Sequence, residues 1–313
     1  MATSSPRSAP PSWSTACSAS SRQRTPERAR PHPRYGRRPR GILPPRGERH
    51  EHRLHVRFRH RPGAVPTRPP VAAARRASRD FIGEVAAREG QRCLELGAGN
   101  GSIAAWLAER VGPTGRVDAV DLDTTHLDDV PEVRVHRHDV EEGPPVDGPF
   151  DLIHARLLLM HLERRHEILE SLVRELAPGG LLVLGEFTRP PTVPFEAPTE
   201  SEAALYHRLL ETTIERIARP AGQDYAWGYE ADRAMIHAGL EGVETAEYRH
   251  TARGGSATCR LISNYARQFT PALTAIGWTE AELDRIHALM SDPRTRVGFF
   301  PFVCIRGRRT LDG

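Results

Sequence analysis

The sequence predicts an α/β protein built on a doubly wound, mostly parallel sheet with helices on both faces. Three observations carry this. Short apolar runs alternate with amphipathic stretches from Val71 onward, the pattern of parallel strands joined by crossover helices. The first such run, Arg92 to Leu96, leads straight into glycines alternating at Gly97, Gly99 and Gly101. The second run, Arg116 to Asp121, ends in acid: Asp118, Asp121 and Asp123. Glycine tolerates positive φ and lets a ligand approach the backbone. A strand, a glycine turn and a helix N-terminus together form a nucleotide-type cradle.

The elements follow in order. Ala73, Phe81, Ile82 and Val85 share a face of a helix expected over 71–87. After the glycine loop, Ile103, Trp106 and Leu107 predict a helix to Arg110, with Ser102 as its cap. A turn at Gly112-Pro-Thr-Gly115 leads to the second strand. The next helix is expected to be short or absent, around Thr124 to Leu127. Val133 to Arg137 is a third strand, and Phe150 to His154 a fourth. Arg156 to Glu175 reads as one long helix, stopped by Ala177-Pro-Gly-Gly180. Leu181 to Phe187 is a fifth, fully buried strand. Helices over 200–218 and 229–238, a sixth strand over 243–248, a helical stretch over 255–296 and a last strand over 299–306 complete a seven-stranded sheet. The segment after the fifth strand, about 190–228, is expected to be a helical insert covering the substrate.

The charge divides the chain. Residues 1–70 hold 16 Arg against 3 Glu, whereas the remainder holds 28 Arg against 37 acids. Rich in Arg, Pro and Ser and poor in aliphatics, residues 1–70 cannot offset their ordering entropy and are expected to be disordered. They read as an extension without selected function, ahead of a basic nucleic-acid arm or a transit-type segment. The acidic remainder, expected over 71–313, does not suit a nucleic-acid partner. His50, His52, His55 and His60 sit among arginines that oppose a bound cation, so no metal is expected. The four cysteines, Cys17, Cys93, Cys259 and Cys304, show no zinc spacing and suit a reducing, cytoplasmic setting. No apolar run reaches the roughly 18–20 residues of a membrane span.

Leu94-Glu-Leu-Gly-Ala-Gly-Asn-Gly101, the second-strand acid, Asp139, Phe150-Asp-Leu-Ile153 and Leu176-Ala-Pro-Gly-Gly180 together resemble class I S-adenosylmethionine-dependent methyltransferases, over roughly residues 80–187. Within that class the chain looks like small-molecule enzymes of bacterial secondary metabolism. The resemblance implies a Rossmann-like fold, S-adenosyl-L-methionine as cofactor and a small-molecule methyl acceptor. It also implies a cofactor site drawn from Glu95, Gly97, Ala98, Gly99, Gly101, Asp121, Leu122, Asp139, Val140 and His154.

The physical reading runs alongside. Asp121, about twenty residues past the glycines, sits where a carboxylate accepts from ribose hydroxyls, with Asp118 and Asp123 as solvated neighbours. Asp139 could accept from the adenine amine while the Val140 N–H pairs with a ring nitrogen. Asp151 reads as structural. A proton-holding acceptor would need a base, for which His154, His161, Glu186, Tyr206 and His207 stand near the mouth. Tyr206, Tyr225 and Trp227 offer aromatic surface for an aromatic acceptor. Two other readings share the sheet: a nicotinamide-type oxidoreductase, against which the Gly-x-Gly-x-Gly spacing argues, and a binding module with a vestigial site.

Overall fold

The computed structural model describes residues 69–311, apart from 84, 85, 128 and 129. The Arg/Pro-rich stretch up to residue 68, and Val85, lie outside the described residues. The elements run α1 (Pro69–Gly83), β1 (Arg92–Leu96), α2 (Ser102–Val111), β2 (Arg116–Asp121), β3 (Val133–Arg137), β4 (Phe150–Arg156), α3 (Arg165–Arg174), β5 (Leu176–Phe187), α4 (Glu200–Thr212), α5 (Trp227–His237), β6 (Leu240–Tyr248), β7 (Thr251–Arg253), α6 (Ala257–Gln268), α7 (Thr270–Ala275), α8 (Glu280–Ser291), β8 (Arg296–Gly298) and β9 (Phe302–Arg309).

Seven strands form one sheet in the order β3-β2-β1-β4-β5-β9-β6. The pairs from β3 to β5 are parallel, and β9 runs antiparallel to both its neighbours. The order reverses between β1 and β4, the switch point at which open α/β sheets bind ligands beyond the strands' C-terminal ends. Both faces are covered, which is why the central strands read as continuous apolar runs. Leu94, Ile153, Leu182 and Leu184 pack against α3 and α5. Cys93, Ala119, Leu152 and Val183 pack beneath α1 and α2. Each fully buried aliphatic there contributes roughly 1.5–3 kcal/mol.

Several local expectations shift. In α1 the buried face is Ala74, Ala77, Phe81 and Ile82, while Ala73 is exposed. Ser102 does not cap α2: Gly101 occupies that position at φ 71, with no side-chain hydrogen bond. The long helix expected from Arg156 is divided. Strand β4 continues to Arg156, Leu157 turns the chain at φ 53, and a short 3-10 turn, Leu159–His161, precedes α3. Strand β5 starts at Leu176, five residues early, because Ala177-Pro-Gly-Gly180 lies within its edge rather than before it.

Residues beyond β5 build a third cluster of their own. Leu205, Tyr206 and Leu209 of α4 pack with Cys259 and Ile262 of α6 and with Leu283 and Ile286 of α8. The helical layer is therefore shared between the segment after β5 and residues 257–291. The short β7–β8 pair, which brackets the stretch read as helical, was not anticipated. Among the described residues, no helix is long and apolar enough to cross a membrane.

Candidate functional site

The glycine loop is held by its own backbone and by one carboxylate. Gly97 and Ala98 both donate to the Val120 carbonyl, at 2.9 and 3.1 Å. Gly97, Gly99 and Gly101 all adopt positive φ, at 66°, 58° and 71°. Their surroundings differ. A Cβ on Gly101 would stand 2.6 Å from Val130 Cγ2 and 2.9 Å from Leu127 Cδ2, so that glycine serves packing. A Cβ on Gly97 would stand 3.3 Å from Leu158. Gly99 would meet nothing within 4 Å, so its backbone borders open space.

Asp121 ends β2 directly opposite. Its Oδ2 accepts the Gly99 N–H at 2.8 Å and its Oδ1 accepts the Asp123 N–H at 3.0 Å. A carboxylate has about four lone-pair sites, so two remain for a ligand. The next residue, Leu122, is 61% exposed, an apolar side chain left open beside the acid. The expected solvated neighbours divide. Asp123 is exposed and turned onto Thr125. Asp118 is wholly buried: Arg116 donates to it at 2.8 Å, His136 lies 2.9 Å away and Arg92 3.8 Å away. It is a structural charge centre, not a solvated acid.

Asp139 caps a 3-10 turn over Val140–Glu142, its Oδ1 accepting from the Glu141 N–H at 3.0 Å. The Val140 side chain is buried, and as first residue of the turn its N–H has no partner within it. The His138 N–H donates to the Asp121 carbonyl at 3.1 Å, tying this turn to the end of β2.

Glu95 and His154 are register partners on β1 and β4, and both side chains are buried. Glu95 Oε2 lies 2.6 Å from His154 Nδ1, while His154 Nε2 is buried without a partner. His154 thus stands behind Glu95 rather than at the mouth.

The other base candidates are scattered. His161 and His207 are exposed. Tyr206 is wholly enclosed in the third cluster, and burial raises its phenol well above the usual range. Glu186 lies beneath the 3-10 turn after β4, accepting the Leu159 N–H at 2.9 Å and the Met160 N–H at 3.4 Å. Burial pushes its carboxyl up to about 8, against the pull of those backbone donors and of Arg165. Asp151 accepts the Arg92 N–H at 2.8 Å, joining the starts of β1 and β4, as a structural acid should.

Of the three expected aromatic residues, Trp227 is a core residue, edge-on to His166 at 5.1 Å. Tyr225 stacks on Phe300 at 5.2 Å. Phe300 meets Phe187, at the end of β5, and Phe299. The sequence reading missed Phe299 and Phe300. Their signal was an aromatic pair placed just before an apolar run, which reads equally as core.

These features define a class: a doubly wound sheet whose switch point presents an open glycine, a ribose-type acid and a carboxylate–imidazole pair. The residues fit S-adenosylmethionine, because the open backbone at Gly99 and the free valences of Asp121 suit a nucleoside joined to an amino acid. Residues 71–243, more than half of the chain, match the family model described as "Methyltransferase domain". The chain belongs to that family. It is 30% identical over 168 residues to the ubiquinone/menaquinone biosynthesis C-methyltransferase UbiE of Vibrio parahaemolyticus, covering 50% of this chain and 62% of that one. It is 33% identical over 162 residues to the demethylmenaquinone methyltransferase of Beutenbergia cavernae, covering 48% and 61%. The match spans about three fifths of these relatives' length. Among solved structures, the YcgJ protein from Bacillus subtilis aligns with a TM-score of 0.49 at 16% identity, covering 75% of this chain and 99% of that one. Coclaurine N-methyltransferase bound to N-methylheliamine and SAH aligns at 0.42 and 15%, covering 76% and 73%. Both scores are below 0.5, and the family rests on the sequence match.

Proposed function

We propose that this protein methylates a small aromatic molecule, using S-adenosylmethionine, in the cytoplasm. The observation that carries the proposal is the Gly99–Asp121 bond, which holds a ribose-type acid against a stretch of backbone that borders open space. Bound there, the cofactor supplies a methyl group already activated on a sulfonium. The chain's residues then have positioning to do. Asp121 takes the ribose hydroxyls, Leu122 covers the adenine, and Asp139 with the Val140 N–H reads its edge. Glu95, oriented by His154, takes the α-ammonium. Aligning two reactants in this way supplies much of the rate of a displacement.

The aromatic group of Tyr225, Phe300, Phe299 and Phe187 lies at the C-terminal end of β5, beneath the helical layer, and supports a flat acceptor. The names of the quinone-pathway relatives point the same way. The acidic balance of residues 71–313 speaks against a nucleic-acid acceptor. The test pairs two measurements. Calorimetry should show saturable S-adenosylmethionine binding and none for a nicotinamide dinucleotide. Label from the cofactor's methyl group should then pass to a phenol or quinol in a panel of acceptors. Dinucleotide binding without S-adenosylmethionine binding overturns the proposal.

A further inference from the structure

We propose that Arg156, assisted by Arg75, seats the α-carboxylate of the cofactor's amino-acid end. The inference rests on the cofactor reading above and assigns it residues that neither the motif nor the family match supplies.

Arg156 is the last residue of β4, two places beyond His154 and therefore on the same face of the sheet. Its charged surroundings come from that face: Glu95 of β1, and Arg75 and Arg79 of α1. The guanidinium is largely enclosed, and its Nε is buried with no hydrogen-bond partner. Among the described residues, no side chain or carbonyl accepts from it. Burial lowers its affinity for the proton, Glu95 pulls the other way, and Arg75 and Arg79 lower it further. An arginine held in that setting, facing like charges, is a costly arrangement unless something negative completes it.

The neighbouring arginines differ in their commitments. Arg79 donates to the Ser102 carbonyl at 2.6 Å, at the first turn of α2, and lies over the Trp106 ring. It fastens α1 beside the glycine loop. Arg75, one turn earlier on α1, has no acceptor among the described residues. Two guanidiniums, one from α1 and one from β4, thus lie within each other's field on the Glu95 face of the sheet with donors unused.

The chemistry of the missing group follows from this set. An α-amino acid carries an ammonium and a carboxylate on one carbon. Among the described residues Glu95 is the buried acid on this face of β1, and its charge acts on Arg156. The pair matches the two charges of a zwitterion in complementary sense. A planar guanidinium fork accommodates a carboxylate with two parallel hydrogen bonds, a geometry an ammonium lacks. Leu158, two residues on, stands 3.3 Å from where a Cβ on Gly97 would sit, so the end of β4 borders the loop.

The experiment compares S-adenosylhomocysteine with its decarboxylated analogue, the corresponding thiopropylamine, by calorimetry on the full chain. Wild type should prefer S-adenosylhomocysteine at least tenfold. Arg156→Gln should abolish that preference by weakening S-adenosylhomocysteine about tenfold or more, leaving the amine within twofold. Arg75→Gln should reduce the preference about threefold, and Arg156→Lys should retain part of it. Should Arg156→Gln fail to fold, as read by its thermal midpoint, the Arg156→Lys and Arg75→Gln variants carry the comparison. Equal losses for both ligands, or no loss for either, would overturn the carboxylate assignment alone. Wild type that binds neither ligand would overturn the cofactor reading with it.

Discussion

The backbone N–H of Gly99 donates to Asp121 Oδ2 across 2.8 Å, joining the loop after β1 to the end of β2. One carboxylate thus holds the glycine loop and, in the role proposed for it, also takes the ribose. Asp121→Ala removes both functions. Cofactor affinity should fall by an order of magnitude or more, since a charge-assisted hydrogen bond contributes roughly 1.5–3 kcal/mol. Calorimetry with S-adenosylhomocysteine reads this directly, and an unchanged dissociation constant would refute the ribose assignment.

Gly99 and Gly101 make a controlled contrast. Both have positive φ, so an alanine at either pays about 1–2 kcal/mol of backbone strain. Only at Gly101 does the new methyl also collide, with Val130 and Leu127. Gly101→Ala should therefore be the less stable variant in urea. Gly99→Ala should stay folded while losing cofactor affinity. The reverse ranking would mean that the open side of the loop has been misassigned.

The Glu95–His154 contact is buried, so the two side chains are strongly interdependent. His154→Leu should destabilise the protein by about 3 kcal/mol, because it strands a buried carboxylate. Adding Glu95→Met should recover part of that loss, though not cofactor binding. A double-mutant cycle in urea measures the coupling, and additive effects would show that the pair contributes no interaction of its own.

Glu186 sets a pH dependence. Its ordinary value is 4.5 and burial raises it to about 8, so between those limits the folded state holds a proton that the unfolded state has lost. Its contribution to stability is intact below about pH 4.5 and is lost as pH rises towards 8. Glu186→Gln should flatten that part of the stability–pH curve. Denaturant midpoints from pH 5 to 9 check it, and an unchanged slope would show that Glu186 does not titrate there.

The sheet was legible because strands covered on both faces must be apolar, and because glycine spacing constrains backbone directly. The Asp121 placement was legible for the same reason: it follows from where a parallel strand ends. What the sequence hid was side-chain direction. Asp118 and Asp121 look alike in Val117-Asp-Ala-Val-Asp121, yet one is enclosed by Arg92, Arg116 and His136 and the other faces the loop. Arg156 was hidden by an error of boundary, since reading it as a helix start put its side chain on the wrong element. The helical layer was the least readable part. Its partners, α4 with α6 and α8, lie far apart in sequence, and periodicity reports a face without naming what covers it.

Strand β9 lies between β5 and β6 and bonds to both, although it is the last of the strands in the chain. The region matched by the family model stops at residue 243, inside β6. A fragment cut to that region would expose the apolar β5 as a new, unpaired sheet edge. The span that matches the family is therefore shorter than the span that completes the sheet. During synthesis, β6 has no place in the sheet until β9, the last strand, has been made.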